Sequence, residues 1–135
     1  MAGYSGKALW QKLGYRDDMT ILTINAPSDY REMLGATPPE LRILTSTRKP
    51  YAAVHLFETS QDALTKQLVS LRQEITQDGM LWVSWPKKSS KMPSDINDNS
   101  IRNVALPLGF VDIKVCAVDD TWSGLKLVIR KTERV

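Results

Sequence analysis

Residues able to do chemistry gather after one short apolar run. Met80 to Trp85 (M-L-W-V-S-W) stops at Pro86, and Lys87-Lys88-Ser89-Ser90-Lys91 follows at once. Three ammonium groups, two hydroxyls and a run of backbone N–H groups could cradle a phosphate or another anion, with help from a following helix N-terminus. The glycines of a P-loop are missing, so this is not the nucleotide-binding loop of that class. A lysine run is more often a solvated surface, and it is the position after an apolar strand that favours the anion clamp. Asp119, Asp120, Trp122 and Ser123 form a second group, an aromatic among acids in a turn, which could stack on a base or meet a partner. The plainer reading is hairpin chemistry. His55 lies mid-strand among apolar residues and reads as a core histidine, because no serine or cysteine nucleophile is patterned with it. Cys116 sits two residues from Lys114, which could lower its pKa, though an inert thiol is the better reading.

The totals narrow the classes. The chain has 135 residues, 42% hydrophobic and 24% charged, with a net charge of +3. That is one domain of ordinary globular composition. A mild basic excess permits an anionic ligand but lacks the stripe of a nucleic-acid binder. One cysteine excludes an internal disulfide and points to a reducing compartment, and one histidine with one cysteine argues against structural zinc. Met1 to Trp10 lacks the apolar core of a signal peptide, and no apolar run approaches the ~20 residues of a membrane span. The expectation is a cytoplasmic protein without a membrane partner.

These groups need elements to position them. Ser5 to Leu13 reads as a short helix, with Leu9 and Leu13 on one face and Gly14 after the end. Met19 to Asn25 is a strand. A turn at Ala26-Pro27-Ser28 leads to a short helix capped by Ser28 or Asp29 and closed by Gly35. Leu41 to Thr45 is a short strand and Tyr51 to Phe57 a longer apolar one. Thr59 or Ser60 caps a helix whose Leu64, Leu68, Leu71 and Ile75 form one stripe, ended by Asp78-Gly79. Met80 to Trp85 follows as a strand, and a further helix starts at Ser94 or Asp95. Val111 to Val118 alternates, with Val111, Ile113, Val115 and Ala117 facing one way. Asp119 to Gly124 is a turn, and Leu125 to Arg130 returns as a hairpin strand.

Strand and helix in alternation imply a single three-layer α/β domain over residues 1–135, with a mainly parallel sheet and a C-terminal antiparallel hairpin. Numbered along the chain, the strands should lie in the order 2-1-3-4-6-5, with right-handed crossovers. Five residues between Thr45 and Tyr51 are few for a parallel crossover, so the second strand is either an edge stub or not parallel. Ligands of such sheets bind beyond the carboxyl ends of the strands, near the reversal of strand order. That rim should collect Asn25 to Asp29, Glu58 and Thr59, Lys87 to Lys91, and the turn from Asp119 to Gly124. Lys87, Lys88, Ser89, Ser90, Lys91, Asn25, Asp119, Trp122 and Ser123 are therefore the candidate ligand-binding residues.

Two resemblances follow. Tyr51-Ala52-Ala53-Val54-His55-Leu56-Phe57 and Gly79-Met80-Leu81-Trp82-Val83-Ser84, with the closing hairpin, resemble the central strands of Rossmann-like methyltransferases that use S-adenosylmethionine. The resemblance implies a reduced version of that fold. It departs at the cofactor half: Asn25-Ala26-Pro27-Ser28 replaces the glycine-rich turn, and Leu44-Thr45-Ser46 stands where those enzymes place a ribose-holding acid. The departures argue against ordinary methyl transfer. Ser5-Gly6-Lys7 with Lys12-Leu13-Gly14, Trp82-Val83-Ser84-Trp85-Pro86-Lys87-Lys88-Ser89, Val111 to Asp119, and Trp122-Ser123-Gly124-Leu125-Lys126 resemble a family of small bacterial proteins known as a domain of unknown function. That resemblance implies a bacterial cytoplasmic protein and brings no activity or cofactor. Three functions stay open: a non-catalytic module for a nucleotide or phosphorylated metabolite, a reduced methyltransferase-like enzyme, and a protein-interaction subunit.

Overall fold

The computed structural model describes residues 6–135. One six-stranded sheet carries the chain, in the order β2-β1-β3-β4-β6-β5. Its strands are β1 (Met19–Ile24), β2 (Leu41–Leu44), β3 (Tyr51–Phe57), β4 (Ile75–Pro86), β5 (Phe110–Ala117) and β6 (Trp122–Ile129). β1 pairs parallel with β2 and with β3, β3 parallel with β4, and β6 lies antiparallel between β4 and β5. Strand order and the antiparallel hairpin are as the alternation of elements implies.

Two helices pack on each face. α1 (Leu9–Leu13) and α2 (Tyr30–Met33) cover one side, where Leu13, Tyr15, Ile21, Tyr30, Leu34, Phe57 and Trp82 form a core. α3 (Gln61–Glu74) and α4 (Asp98–Ala105) cover the other, over Val54, Leu56, Leu81, Val83, Leu125 and Leu127. The side-chain alternation of a strand sorts β3 between them: Ala53, His55 and Phe57 face α1, while Val54 and Leu56 face α3. On α3 the stripe Leu64, Leu68, Leu71 is fully buried, each leucine contributing roughly 2 kcal/mol.

Several local expectations are corrected. Ser5 lies outside the described residues, and α1 begins at Leu9 with Ala8 as its N-cap. Asp29 takes the cap position of α2 without a side-chain cap bond. Gly35 is needed there, at φ +95°, because a Cβ would come within 2.9 Å of Ala8 Cβ. Ser60, not Thr59, caps α3, its hydroxyl accepting from Ala63 N–H at 3.3 Å. α3 ends at Glu74, and Ile75 is buried as the first residue of β4. Asp78-Gly79 is thus inside the strand, beside a register shift between Tyr51 and Ala53 of β3. α4 starts at Asp98, because Asn97 and Ser100 form a reciprocal capping box: Ser100 N–H donates to Asn97 Oδ1 at 2.9 Å and Asn97 N–H to Ser100 Oγ at 2.8 Å. Ser94 and Asp95 serve the approach instead, accepting from Ile96 N–H and Gln61 N–H.

The doubtful second strand is parallel and lies at the sheet edge. Residues 45–50 carry the chain from β2 across β1 to β3 without a helix. Six extended residues reach roughly 20 Å, enough to pass two strand spacings of about 10 Å and return along the short β2. The Lys49–Pro50 peptide bond in this link is cis. In β5 a register shift between Asp112 and Lys114 breaks the alternation. Ile113 and Val115, expected inside, are each 55% exposed. Trp122 and Ser123 are strand residues, paired with Pro86 and Trp85, so the turn shrinks to residues 119–121.

Candidate functional site: a cleft at the carboxyl-end rim

The segments expected at the rim are tied together by hydrogen bonds. Asn25 Nδ2 donates to Phe57 O at 3.3 Å and to Glu58 Oε2 at 3.1 Å. Glu58 N–H donates to Ser84 O at 3.0 Å, Lys87 N–H to Thr121 O at 2.8 Å, and Asp95 N–H to Thr59 O at 3.3 Å.

On the α4 side this rim opens into a cleft of about 440 Å³. β4 and β6 supply its floor, where Trp85 and Ser123 are register partners and share a face. Pro86 turns the chain away, and Lys87 and Lys88 form one wall. Ile96 and the first turn of α4, Asn97 to Asn99, form the other. Trp85 in the floor and Ile96 in the wall are almost fully buried in the core below, which anchors both, and the exposed lining of the cleft is mainly polar. Asp98 is the acid of the cleft. Its Oδ2 accepts from Arg102 Nη1 at 3.0 Å, and Arg102 Nε also donates to Asp112 Oδ2 at 2.8 Å. That hydrogen bond holds the Asp112 carboxyl below its ordinary range. Arg102 thus draws on Asp98 from outside the cleft and lessens its opposition to an anion.

The other candidate residues have different settings. Ser89 is exposed. Ser90 Oγ donates to Lys87 O at 2.6 Å and accepts from Met92 N–H at 3.3 Å, which holds the 3₁₀ turn of Lys88–Ser90. Lys91 closes that turn at φ +60°. Asp119 Oδ1 accepts from Thr121 N–H at 2.8 Å and Trp122 N–H at 2.7 Å, so it builds the hairpin turn. Trp122 packs on the α1 face, edge-on to Phe57 with ring centroids 5.0 Å apart. Asn25 stands at the reversal of strand order, left-handed at φ +59°. Its amide spans β1 and the end of β3 where a methyltransferase-like sheet would present a glycine-rich turn. Burial raises the pKa of Glu58 there, against lowering bonds from Thr59 N–H and Asn25.

Sequence reasoning missed two things. The wall from Ile96 to Asn99 was missed because the helix start was set at Ser94 or Asp95; the Asn97-x-x-Ser100 spacing was the available signal. The partners of His55 were also missed. Its Nδ1 pairs with Tyr30 Oη at 2.8 Å, its Nε2 with Ser84 Oγ at 2.7 Å, and Tyr30 Oη with Tyr15 Oη at 2.7 Å. A hydroxyl on an imidazole is the pairing of a nucleophilic dyad, but His55 and Ser84 are both 0% exposed. No substrate reaches them, and the row is a satisfied polar thread through the core. Burial lowers the His55 pKa to about 3. Cys116 is half-buried, and burial raises its pKa despite Lys12 and Lys114. Among the described residues, no cluster of three metal-ligating side chains occurs, and no helix is long and apolar enough to cross a membrane.

The model of a protein family of unknown function, DUF3052, matches residues 46–131. The chain belongs to that family. The matched span holds four of the six strands, β3 to β6, with the link before β3 and the whole rim cleft. No curated protein matches this DUF3052 chain. Among solved structures it is similar to one from Sulfolobus solfataricus assigned to the type 11 methyltransferases, at TM-score 0.62 and 12% identity, over 100% of this chain and 97% of the other. It is also similar to the ribosomal protein L11 methylase of Lactobacillus delbrueckii subsp. bulgaricus, at TM-score 0.58 and 10% identity, over 90% and 74%. A third is the 1,6-didemethyltoxoflavin-N1-methyltransferase of Burkholderia thailandensis with bound S-adenosylhomocysteine, at TM-score 0.55 and 12% identity, over 91% and 75%. At such identities the likeness is one of fold, and the DUF3052 domain has a Rossmann-like, methyltransferase-related fold.

Proposed function

We propose that the chain is a non-catalytic binding module for an anionic ligand, a nucleotide or a phosphorylated metabolite, held in the rim cleft. The observation that carries this is the meeting of Lys87, Lys88 and Ser123 with the first turn of α4 around one cleft of about 440 Å³. Its size lies within the ordinary range of small-molecule sites, and it opens on the carboxyl-end rim at β4, beside β6 rather than at the reversal between β1 and β3. The residues around it hold no acid and base arranged about a vacant reacting position. Titration calorimetry with adenosine diphosphate tests the reading. Lys87→Ala/Lys88→Ala should weaken binding about tenfold or more, and more strongly at low salt. Equal affinity in wild type and variant removes the clamp.

The fold favours a second reading, a reduced methyltransferase-like enzyme using S-adenosylmethionine. The Asn25 bridge to Phe57 and Glu58 weighs against it, since it spans the position where such a cofactor approaches the backbone. Calorimetry with S-adenosylmethionine separates the two: no heat at millimolar ligand ends the enzyme reading, and binding that survives Lys87→Ala/Lys88→Ala would support it.

A further inference from the structure

The two walls of the rim cleft differ in chemistry. One carries the ammonium groups of Lys87 and Lys88. The other carries two amides whose orientation is dictated by their neighbours. Asn97 Oδ1 accepts from Ser100 N–H at 2.9 Å, so the other end of that amide is its NH2. Asn99 Oδ1 accepts from Arg102 Nη1 at 3.2 Å, and a guanidinium can only donate, so the same holds there. Asp98 is engaged as well, Oδ1 by Asn99 N–H at 3.0 Å and Oδ2 by Arg102. The amide oxygens of this wall are therefore turned to donors of the protein, and its uncommitted side-chain donors are Asn97 and Asn99 Nδ2, with the Asp98 carboxylate between them shared with Asn99 N–H and Arg102. Between the walls lie Trp85 and Pro86, of which little is exposed.

On these grounds we infer that the cleft is built for a nucleotide whose base presents carbonyl oxygens, as uracil and guanine do, with its phosphates toward Lys87 and Lys88 and its base edge toward the amides of Asn97 and Asn99. The inference rests on the anion-binding reading above and narrows it. A free phosphate would use the lysines and leave the amide donors of the facing wall without partners. Adenine has no carbonyl oxygen: it would offer the amides only ring nitrogens and set its exocyclic amine, a donor, beside them.

The test is a set of calorimetric titrations at one salt concentration with uridine diphosphate, guanosine diphosphate, adenosine diphosphate and pyrophosphate. Either or both of the carbonyl-bearing nucleotides should bind about tenfold tighter than adenosine diphosphate, the worth of one well-placed hydrogen bond, and tighter still than pyrophosphate. Asn99→Ala leaves the capping box intact. It should remove the preference among bases and keep the pyrophosphate affinity, with folding checked by circular dichroism. Equal affinity for all three nucleotides, a preference for adenosine diphosphate, or pyrophosphate binding as tightly as any nucleotide would overturn the inference while leaving the anion site standing. Failure of all four compounds to bind would end both.

Discussion

Taking the pH from 6.5 toward 3 should strip this fold of a large share of its stability, through His55. Burial lowers its folded pKa to about 3, against about 6.5 in an unfolded chain. Between those values the unfolded state takes up a proton that the folded state refuses. The stabilisation is therefore fully present above pH 6.5 and lost as pH falls toward 3. A shift of this size corresponds to roughly 5 kcal/mol, comparable with the whole stability of many small domains. Urea denaturation at intervals from pH 7 to 4.5 should show stability falling by up to about 1.4 kcal/mol per pH unit. In His55→Gln that slope should flatten, whatever the variant's stability at neutral pH. A wild-type stability that stays level from pH 6.5 to 4.5 would show that His55 is not held neutral by its core. Asp112, held low by Arg102, acts only below the ordinary carboxylate range, while Glu58, raised by burial, gains stability as the pH falls and opposes this slope, so the slope is read as the difference between wild type and His55→Gln.

Replacing Trp82 should cost nearly as much. The indole is 0% exposed on the central strand β4, and its Nε1–H donates to Leu13 O at 3.0 Å, at the end of α1. Trp82→Ala opens a cavity, worth about 3 to 5 kcal/mol, and also frees the carbonyl that ends the first helix. Trp82→Phe keeps most of the packing and loses the donor, for about 1 to 3 kcal/mol. Chemical denaturation at neutral pH orders wild type, Phe and Ala in that sequence. A cost below about 1 kcal/mol for Trp82→Ala would mean that the indole does not dock α1 on the sheet.

How far the chain could be read by eye depended on what each feature is made of. Strand order and hairpin were legible because apolar runs, a Leu64-Leu68-Leu71 stripe and turn residues are local signals. Asp78-Gly79 misled because the same residues serve a turn or an irregular strand. A Cβ on Gly79 would meet Thr76 Oγ1 at 2.9 Å and Ala52 O at 3.2 Å, so this glycine answers to a close backbone approach. The β5 faces failed because period-two counting does not survive one inserted residue, and the register shift before Lys114 is set by β6. At the cleft, Lys87 and Lys88 were legible as residues following an apolar strand, whereas Ser123 reads as a turn residue and lies in β6. The His55–Ser84 pair was not, because it needs the β3–β4 register, in which His55 lies opposite Trp82 and Phe57 opposite Ser84.

One joint is missing from this molecule. Glu74 ends α3 and Ile75 begins β4 with nothing between them. At its other end α3 is pinned to the segment leading into α4: Gln61 N–H donates to Asp95 Oδ1 at 2.7 Å and Gln61 Nε2 to Ser100 O at 3.2 Å. Helix and strand thus join directly, and two hydrogen bonds tie the start of that helix to the approach and first turn of the amide-bearing wall. A ligand entering there meets a wall already at rest, and little of its binding free energy goes to ordering that side.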